Sequence, residues 1–192
     1  RGRVTEVFGS ESSGKTTLAL QTIAQAQNDG KAAIIDVEQT FNQDQASRLG
    51  VKLDELLVSQ PESAELAIDT LIKLVRSNAI DLIVLDSVAG LVTEDEHEDN
   101  DDGYSLPALL AERLKVVAND IYRTNTALLM LNQERVRPDQ FGKTTLETPG
   151  GKSLRHATTI RARITKGVDI REDGEIVGNR TKIHVVKNKL QA

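Results

Sequence analysis

The residues from Gly9 to Thr16 have the types and the spacing that bind a phosphate group. They read Gly-Ser-Glu-Ser-Ser-Gly-Lys-Thr and fit the pattern GxxxxGK[ST], between an apolar run that predicts a strand and a segment that predicts a helix. The backbone N–H groups of such a loop surround phosphate oxygens at a helix N-terminus, whose dipole favours anions. With both flanking elements in place, a glycine-rich turn that fits by chance is the weaker interpretation.

Two side chains of this loop predict the rest of the ligand. Lys15 would reach the β- and γ-phosphates as a point charge, and the Thr16 hydroxyl would coordinate Mg²⁺. The cofactors predicted by the loop are therefore ATP and Mg²⁺. The residues predicted to hold them are Gly9, Ser10, Glu11, Ser12, Ser13, Gly14, Lys15, Thr16 and Thr17, together with Asp86.

Asp86 is the predicted metal carboxylate, with Thr16 as the second protein ligand. It ends the apolar run Leu82-Ile-Val-Leu85, so it would lie at the carboxyl end of a parallel strand, where ligands bind in open α/β sheets. The alternative is an acid that caps the next segment.

Two further positions predict the hydrolytic chemistry. Glu38 follows the predicted strand Ala32–Asp36, and a carboxylate there could orient or deprotonate water. The pair Asn132-Gln133 ends another predicted strand and places an amide near the γ-phosphate. Ordinary polarity at a strand end is the alternative for both positions.

Short apolar runs that alternate with helical patterns predict βαβ units and a mainly parallel sheet. The predicted strands are Val4–Phe8, Ala32–Asp36, Leu56–Ser59, Leu82–Asp86, Ala127–Asn132, Thr159–Thr165 and Lys182–Val186. The predicted helices are Lys15 to about Gln27, Ser63–Ser77 and Leu106–Thr124. The fold class is therefore α/β, a twisted sheet flanked by helices.

Turn residues and loops complete the predicted architecture. The Asp-Gly pair within Arg171–Glu175 predicts an antiparallel hairpin near the end of the chain. Glu94–Tyr104 and Glu134–Lys152 show no period and are predicted to be mobile loops. No internal repeat or linker is visible, so residues 1–192 are expected to form a single domain.

The composition is that of a soluble globular protein. Of the 192 residues, 39% are hydrophobic and 28% charged. No apolar run approaches the roughly 20 residues that span a bilayer, so we expect no membrane association. The absence of cysteine excludes disulfides, thiolate metal ligands and a cysteine nucleophile, and a cytoplasmic location is the default expectation.

Five motifs occur together and in order, and with them the chain resembles the ATPase core of bacterial RecA recombinases. They are Gly9-Ser-Glu-Ser-Ser-Gly-Lys-Thr-Thr17, Leu82-Ile-Val-Leu-Asp-Ser-Val-Ala89, Asn132-Gln133, Gly150-Gly151 and Val185-Val-Lys-Asn-Lys189. The resemblance runs from Arg1 to Ala192 and implies a RecA-like P-loop NTPase core. The implied activity is that of a DNA-dependent ATPase and homologous recombinase, active in recombinational DNA repair and the SOS response to DNA damage.

The resemblance also assigns roles to individual residues. In the family, the residue matching Glu38 polarises the attacking water, and the one matching Gln133 senses the γ-phosphate. Lysines matching Lys187 and Lys189 reach the ATP of the neighbouring subunit in a helical filament, and Arg161 lies in the same inter-subunit neighbourhood. The residues implied to bind single-stranded DNA, before duplex DNA is engaged, are Arg135, Arg137, Phe141, Gly150 and Gly151.

The chain departs from the family pattern at several positions. Gln45 stands where the family has an adenine-stacking tyrosine, and Asn42 where an aspartate contacts the adenine edge. His156 stands where a phenylalanine lies near the subunit interface. The family's N-terminal oligomerisation segment and small C-terminal domain have no counterpart in residues 1–192, which begin without methionine, and we expect an excised core.

A second hypothesis belongs to a different class of protein. Without the resemblance, a charged surface loop is the favoured interpretation of Arg135 and Arg137, and solvated charge at a strand end is that of Lys187 and Lys189. The net charge of −5 and the cluster of acids in 94–102 favour a RecA-like nucleotide switch that works through protein partners and binds little DNA.

Overall fold

The computed structural model describes residues 1–91, 106–138 and 144–190, apart from the side chains of residues 137 and 138. The strands are β1 (Val4–Gly9), β2 (Ala32–Asp36), β3 (Leu56–Ser59), β4 (Leu82–Asp86), β5 (Ala127–Gln133), β6 (Arg135–Pro138), β7 (Thr144–Glu147), β8 (Ile160–Glu172) and β9 (Glu175–Asn188). The helices are α1 (Lys15–Ala26), α2 (Gln43–Arg48), α3 (Ala64–Arg76), α4 (Leu106–Thr124) and α5 (Gly151–Ala157).

Seven strands form one sheet in the order β3-β2-β4-β5-β1-β8-β9. Neighbouring strands are parallel except β8 and β9, which pair antiparallel as the predicted hairpin. The predicted α/β class, its seven strands and its antiparallel C-terminal hairpin are confirmed. The register pairs Gly9 with Gln133 and Asp36 with Asp86, so the carboxyl ends of four parallel strands meet at one edge.

Helices cover both faces of this sheet. On one face, Leu20 and Ile23 of α1 pack with Val84 and Leu131 of the sheet. On the other, α3, α4 and α5 cover a second cluster that includes Ile83 and Met130. A parallel strand buried on both faces shows a continuous apolar run, which is why Leu82-Ile-Val-Leu85 lacks polar alternation.

The longer helices agree with the sequence prediction. Helix α3 begins at Ala64 because the Ser63 hydroxyl caps it, accepting from the Leu66 N–H at 3.2 Å. Helix α4 has the predicted bounds, whereas α2 and α5, with six and seven residues, are too short to show a period and were not predicted. Within the described ranges, no helix has the length and apolar character that a membrane span requires.

The prediction that Glu134–Lys152 is an irregular loop is wrong for most of its described part. Strands β6 and β7 pair antiparallel in a separate two-stranded sheet, and Val136 lies opposite Leu146. Each strand carries so few apolar residues that no period of two is visible in the sequence. The other predicted loop, Glu94–Tyr104, lies outside the described residues.

Candidate active site

The phosphate-loop residues connect β1 to α1 and include two positions that require glycine, Gly9 for lack of space and Gly14 for its backbone conformation. A Cβ on Gly9 would lie 2.1 Å from the carbonyl oxygen of Ile164 on β8. Gly14 is the N-cap of α1 with φ 97°, a left-handed conformation that favours glycine. Among the described residues no side chain caps this helix, so its first N–H groups are left for an anion.

Lys15 lies inside the loop and is buried. Its ammonium group donates to the carbonyl oxygens of Gly9 at 3.2 Å and Ser10 at 2.7 Å. Burial lowers the pKa of Lys15, and the nearby carboxylates of Asp86 and Glu38 oppose that shift. A phosphate group would provide the strong countercharge that this buried ammonium lacks.

A second polar atom in the loop supports the fit to a nucleotide. The Ser13 hydroxyl oxygen is buried, and it has no hydrogen-bond partner within the described part of the chain. Buried polar groups are normally hydrogen-bonded, so an unpaired hydroxyl beside an uncapped helix N-terminus suits a phosphate oxygen. The residues present therefore fit the phosphate groups of a nucleotide.

Thr16 and Asp86 form the predicted metal pair. The Thr16 hydroxyl donates to Asp86 Oδ2 at 3.0 Å, although the two residues lie on different elements, α1 and β4. Burial, together with the neighbouring carboxylates of Glu38 and Asp36, raises the pKa of Asp86 to about 6, although the hydrogen bond from Thr16 opposes this shift. A hydroxyl and a carboxylate side by side are the hard oxygen ligands that Mg²⁺ takes beside phosphate oxygens and water, so these residues fit the ion.

Glu38 lies between Asp86 and Gln133 at the same edge. Its Oε1 accepts from the Ser87 hydroxyl in a short hydrogen bond and from Gln133 Nε2 at 3.1 Å. The side chain is otherwise exposed. The carboxylate is therefore oriented through one oxygen, which leaves its second oxygen for a water molecule.

Two residues that sequence reasoning missed shape the surroundings of Glu38. Ser87 follows Asp86 directly and is buried, and it holds Glu38 as described. The buried Asp36 carboxylate accepts from the N–H groups of Thr40 at 3.3 Å and Phe41 at 2.9 Å, which fixes the turn that carries Glu38. Their signal was available, since both are polar residues at the ends of buried strands.

The predicted pair Asn132-Gln133 divides between the two faces of the sheet. The Gln133 amide reaches Glu38, as described above. Asn132 is fully buried and donates to Glu6 at 2.9 Å, on the side of the sheet that α4 and α5 cover. Only Gln133 therefore belongs to the edge of the sheet where Lys15, Thr16, Asp86 and Glu38 lie. We call this edge the phosphate edge.

The residues implied to bind DNA lie next to this edge. Arg135 begins β6, is exposed, and donates to the Ala89 carbonyl oxygen at 3.2 Å. Gly150 and Gly151 have left-handed conformations with φ 86° and φ 59°, and with Arg135 they line a groove of about 360 Å³. Phe141 lies outside the described residues, and the side chain of Arg137 is not described.

Lys187 and Lys189 do not reach the phosphate loop of their own chain. The Lys187 ammonium donates to the carbonyl oxygen of Arg155 in a short contact and to that of Thr158 at 2.7 Å. Lys189 donates to the His156 carbonyl oxygen at 3.1 Å. Both therefore cap the C-terminus of α5, and partial burial together with the charge of Lys189 lowers the pKa of Lys187.

The two positions implied to contact the adenine lie on α2. The Asn42 side chain accepts from the Gln45 N–H at 2.8 Å and is the N-cap of this helix. Asn42 thus has a structural role that does not depend on a nucleotide base.

Known proteins are similar to this chain over nearly its whole length. A family model described as the RecA N-terminal domain matches residues 1–192. The chain is 46% identical over 194 residues to Protein RecA of Chlorobaculum tepidum and 44% identical over 195 residues to Protein RecA of Enterococcus mundtii. In both cases 99% of this chain is covered but only 56% of the relative, so the chain spans about half the length of the curated relatives it matches.

Proposed function

The chain belongs to the RecA N-terminal domain family, and from that premise we propose that it binds ATP with Mg²⁺ and hydrolyses ATP in response to single-stranded DNA. The observation that carries the proposal is the convergence at one sheet edge. Lys15, the Thr16–Asp86 pair and the Glu38–Gln133 pair come from four different strands or their following loops, and they meet where the uncapped α1 begins.

Each of these residues has one task in the proposed reaction. The N–H groups of α1 and the Lys15 ammonium bind and orient the phosphates. Thr16 and Asp86 hold Mg²⁺, which when bound would neutralise charge that develops on the phosphate oxygens. Glu38 accepts a hydrogen bond from the attacking water through the oxygen that Ser87 and Gln133 leave open, and this orients the water and takes up its proton.

We propose that Gln133 links this edge to DNA. It is the last residue of β5, and the exposed strand β6 begins two residues later with Arg135. The guanidinium groups of Arg135 and Arg137 and the N–H groups of Gly150 and Gly151 would contact the phosphates of a single strand. The Phe141 ring would stack on the face of a base without reading its edge. Both kinds of contact suit a protein that accepts any sequence. A change in the position of the Gln133 amide would then alter the start of β6, the first part of the segment proposed to bind DNA.

A second copy of the chain would complete the active site. Lys187 and Lys189 lie two strands away from β1 and can act only on the nucleotide of a neighbouring chain, an arrangement that resembles a finger residue supplied in trans. A groove of about 740 Å³ between α4 and α5, lined in part by Leu110, Leu114 and His156, offers a surface for that neighbour. Residues 1–192 would thus be one ATPase core domain of a helical filament that promotes strand exchange with duplex DNA in recombinational repair.

The second candidate function is a nucleotide switch that binds protein partners instead of DNA. The net charge of −5 and the acids in 94–102 favour it, because like charges repel DNA phosphates. It shares the phosphate edge with the first proposal and differs only in the partner.

The experiment that separates the two is ATP hydrolysis with and without single-stranded DNA, measured on the intact protein and on residues 1–192. Strong stimulation in the intact protein supports the recombinase proposal. Nucleotide binding without any response to DNA would refute it and favour the switch.

A further inference from the structure

Glu6, in the middle of β1, is fully buried, and no step of the proposed reaction uses it. Its neighbours Val4, Val7 and Phe8 on the same strand are also buried and apolar. A carboxylate in such surroundings is unfavourable unless charged and hydrogen-bonding groups satisfy it. The groups that satisfy Glu6 therefore show what this residue holds together.

Both carboxylate oxygens of Glu6 are engaged by strands on either side of β1. On β8, Arg161 Nε lies 2.5 Å from Oε2, and the Arg161 guanidinium also lies over the Phe8 ring, 4.5 Å from its centroid. On β5, Asn132 Nδ2 donates to Oε1 at 2.9 Å. Glu6, Asn132 and Arg161 form a cluster that we call the Glu6 cluster. Arg161 faces inward, with 12% of its side chain exposed.

One hydrogen bond connects the Glu6 cluster to the phosphate edge. The Asn132 side-chain oxygen accepts from the backbone N–H of Gln133 at 2.9 Å. This hydrogen bond fixes the backbone of the residue whose amide contacts Glu38. The position of Asn132, and thus of Glu6, is therefore tied to the end of β5.

Two other hydrogen bonds connect the Glu6 cluster to the residues that precede Gly150 and Gly151, which are proposed to bind DNA. Asn132 Nδ2 donates to the Pro149 carbonyl oxygen at 3.0 Å, and Arg161 Nη2 donates to the Thr148 hydroxyl at 3.2 Å. Thr148 and Pro149 directly precede Gly150, where the left-handed turn into α5 begins. The same two side chains that hold Glu6 thus hold this turn.

We infer that Glu6 is a positioning residue that couples the Gln133 end of β5 to the turn at Thr148–Gly151. The inference rests on the proposed function, in which these two places serve ATP and DNA. Movement at either place changes hydrogen bonds to groups that share one buried carboxylate, and such networks respond as a unit. The covalent route between the two places includes β6 and β7, whose described side chains are exposed, whereas Glu6 and Asn132 are fully buried, so we take the Glu6 cluster to be the stiffer connection.

The first test is Glu6→Gln in the intact protein. Glutamine keeps the shape of the side chain and can still accept from Asn132, but it removes the charge that orients Arg161. We expect stimulation of ATP hydrolysis by single-stranded DNA to fall at least roughly fivefold, the lower end of typical coupling between two sites. Hydrolysis without DNA and the dissociation constant for ATP are expected to stay within about twofold, because Glu6 touches neither nucleotide nor Mg²⁺ ligands.

A second variant separates positioning from stability. Glu6→Gln combined with Arg161→Gln leaves no unpaired buried charge, so its Tm is expected to recover toward that of the wild type. The stimulation of its ATP hydrolysis by DNA is expected to stay low, because the hydrogen bond from Arg161 to Thr148 is lost. If the single variant is too unstable to purify, the stimulation measured on this paired variant decides the question.

Asp120→Asn is the matched control. It removes the Arg76–Asp120 ion pair between α3 and α4, 2.7 Å long, and is expected to leave stimulation unchanged. Normal stimulation in Glu6→Gln, or recovery of stimulation together with Tm in the paired variant, would overturn the inference while leaving the proposed function intact. A wild-type protein that shows no stimulation by DNA would overturn both.

Discussion

The phosphate edge and the two-stranded sheet β6–β7 are neighbours along the chain but are built in opposite ways. At the phosphate edge, side chains from separate elements of the fold already bind one another, as Thr16 with Asp86 and Gln133 with Glu38. In β6–β7, Val136 and Leu146 lie opposite each other, yet their exposed fractions are 64% and 54%. One region is stabilised by the core, whereas the described side chains of the other are exposed to solvent.

The difference indicates when each region reaches its working geometry. Burial behind the phosphate edge fixes its donors before any ligand arrives, which is the condition for electrostatic preorganisation. A two-stranded sheet that packs on no core is marginally stable in water, so we expect β6–β7 to gain stability from a partner surface. Part of the interaction with that partner is then offset by the cost of ordering the segment.

Lys15→Ala tests the preorganised region most severely. The variant removes the charge that the loop carbonyl oxygens hold in place, and we expect ATP turnover to fall by at least about a hundredfold, with weaker nucleotide binding. Turnover and binding of a fluorescent ATP analogue measure the two effects. Lys31→Ala, at an exposed lysine before β2, is the control. A Lys15→Ala protein with normal binding and turnover would remove the phosphate-loop assignment.

The sequence predicted the preorganised region far better than the exposed one. Lys15 and Thr16 were predicted from the GxxxxGK[ST] pattern, and Asp86 because a buried parallel strand leaves a continuous apolar run, so that the polar residue that ends the run stands out. Parallel topology then requires such strand ends to meet at one edge. The seven main strands were predicted by the same contrast between apolar runs and turns.

What could not be predicted depends on pairing across long stretches of sequence. Nothing local distinguishes Glu6, which is buried only because Arg161 and Asn132 come to it from 155 and 126 residues away. Strands β6 and β7 are four residues each and lack a core to impose alternation. The capping of α5 by Lys187 and Lys189 is also invisible in sequence, since α5 itself has no period.

Glu38→Gln sharpens the comparison inside the phosphate edge. Glutamine retains an oxygen that Ser87 and Gln133 can bind, so the fold of the edge is kept, but it cannot take a proton from water. We expect turnover to fall about a hundredfold with the ATP dissociation constant nearly unchanged. Glu62→Gln, at an exposed glutamate, is the control. Wild-type turnover in Glu38→Gln would contradict a role as general base.

Asp86→Asn tests whether the charged Asp86 carboxylate at the phosphate edge lowers the stability of the folded protein. The pKa of Asp86 is raised from 3.8 to about 6 in the folded protein, so folding favours its protonated form. The stabilisation is present below pH 4 and is lost as the pH rises through 6. Two pKa units correspond to about 3 kcal/mol, which is the upper bound of the loss.

Asparagine does not titrate. The free energy of unfolding of the variant is therefore expected to increase relative to that of the wild type as the pH rises from 4 to 6. At pH 8, without Mg²⁺ or nucleotide, we expect it to be more stable by roughly 1–3 kcal/mol, although it no longer supports hydrolysis. Chemical denaturation at pH 4 and pH 8 with a chelator present measures the difference. A difference that does not change with pH would show that the Asp86 carboxylate is accommodated without strain.

Replacing both Arg135 and Arg137 by alanine tests the exposed region, where the expected effect is smallest. Each of these side chains would contact a DNA phosphate and would contribute mainly through counterion release. The slope of log affinity against log salt should decrease in magnitude by about 1.4 for two contacts on a single strand, and affinity should fall roughly tenfold at low salt. ATP turnover without DNA should be unaffected, because neither arginine belongs to the phosphate edge.

The matched control for the arginine pair is Arg48→Ala with Arg123→Ala, which makes the same change in net charge at exposed positions on α2 and α4. If the control lowers the salt slope as much as the Arg135 and Arg137 variant does, DNA responds to the overall charge of the protein and β6–β7 is not its binding site. If only the Arg135 and Arg137 variant does so, β6–β7 is the region that meets DNA. Arg135 would then bind a phosphate through the guanidinium N–H groups that its hydrogen bond to Ala89 does not use.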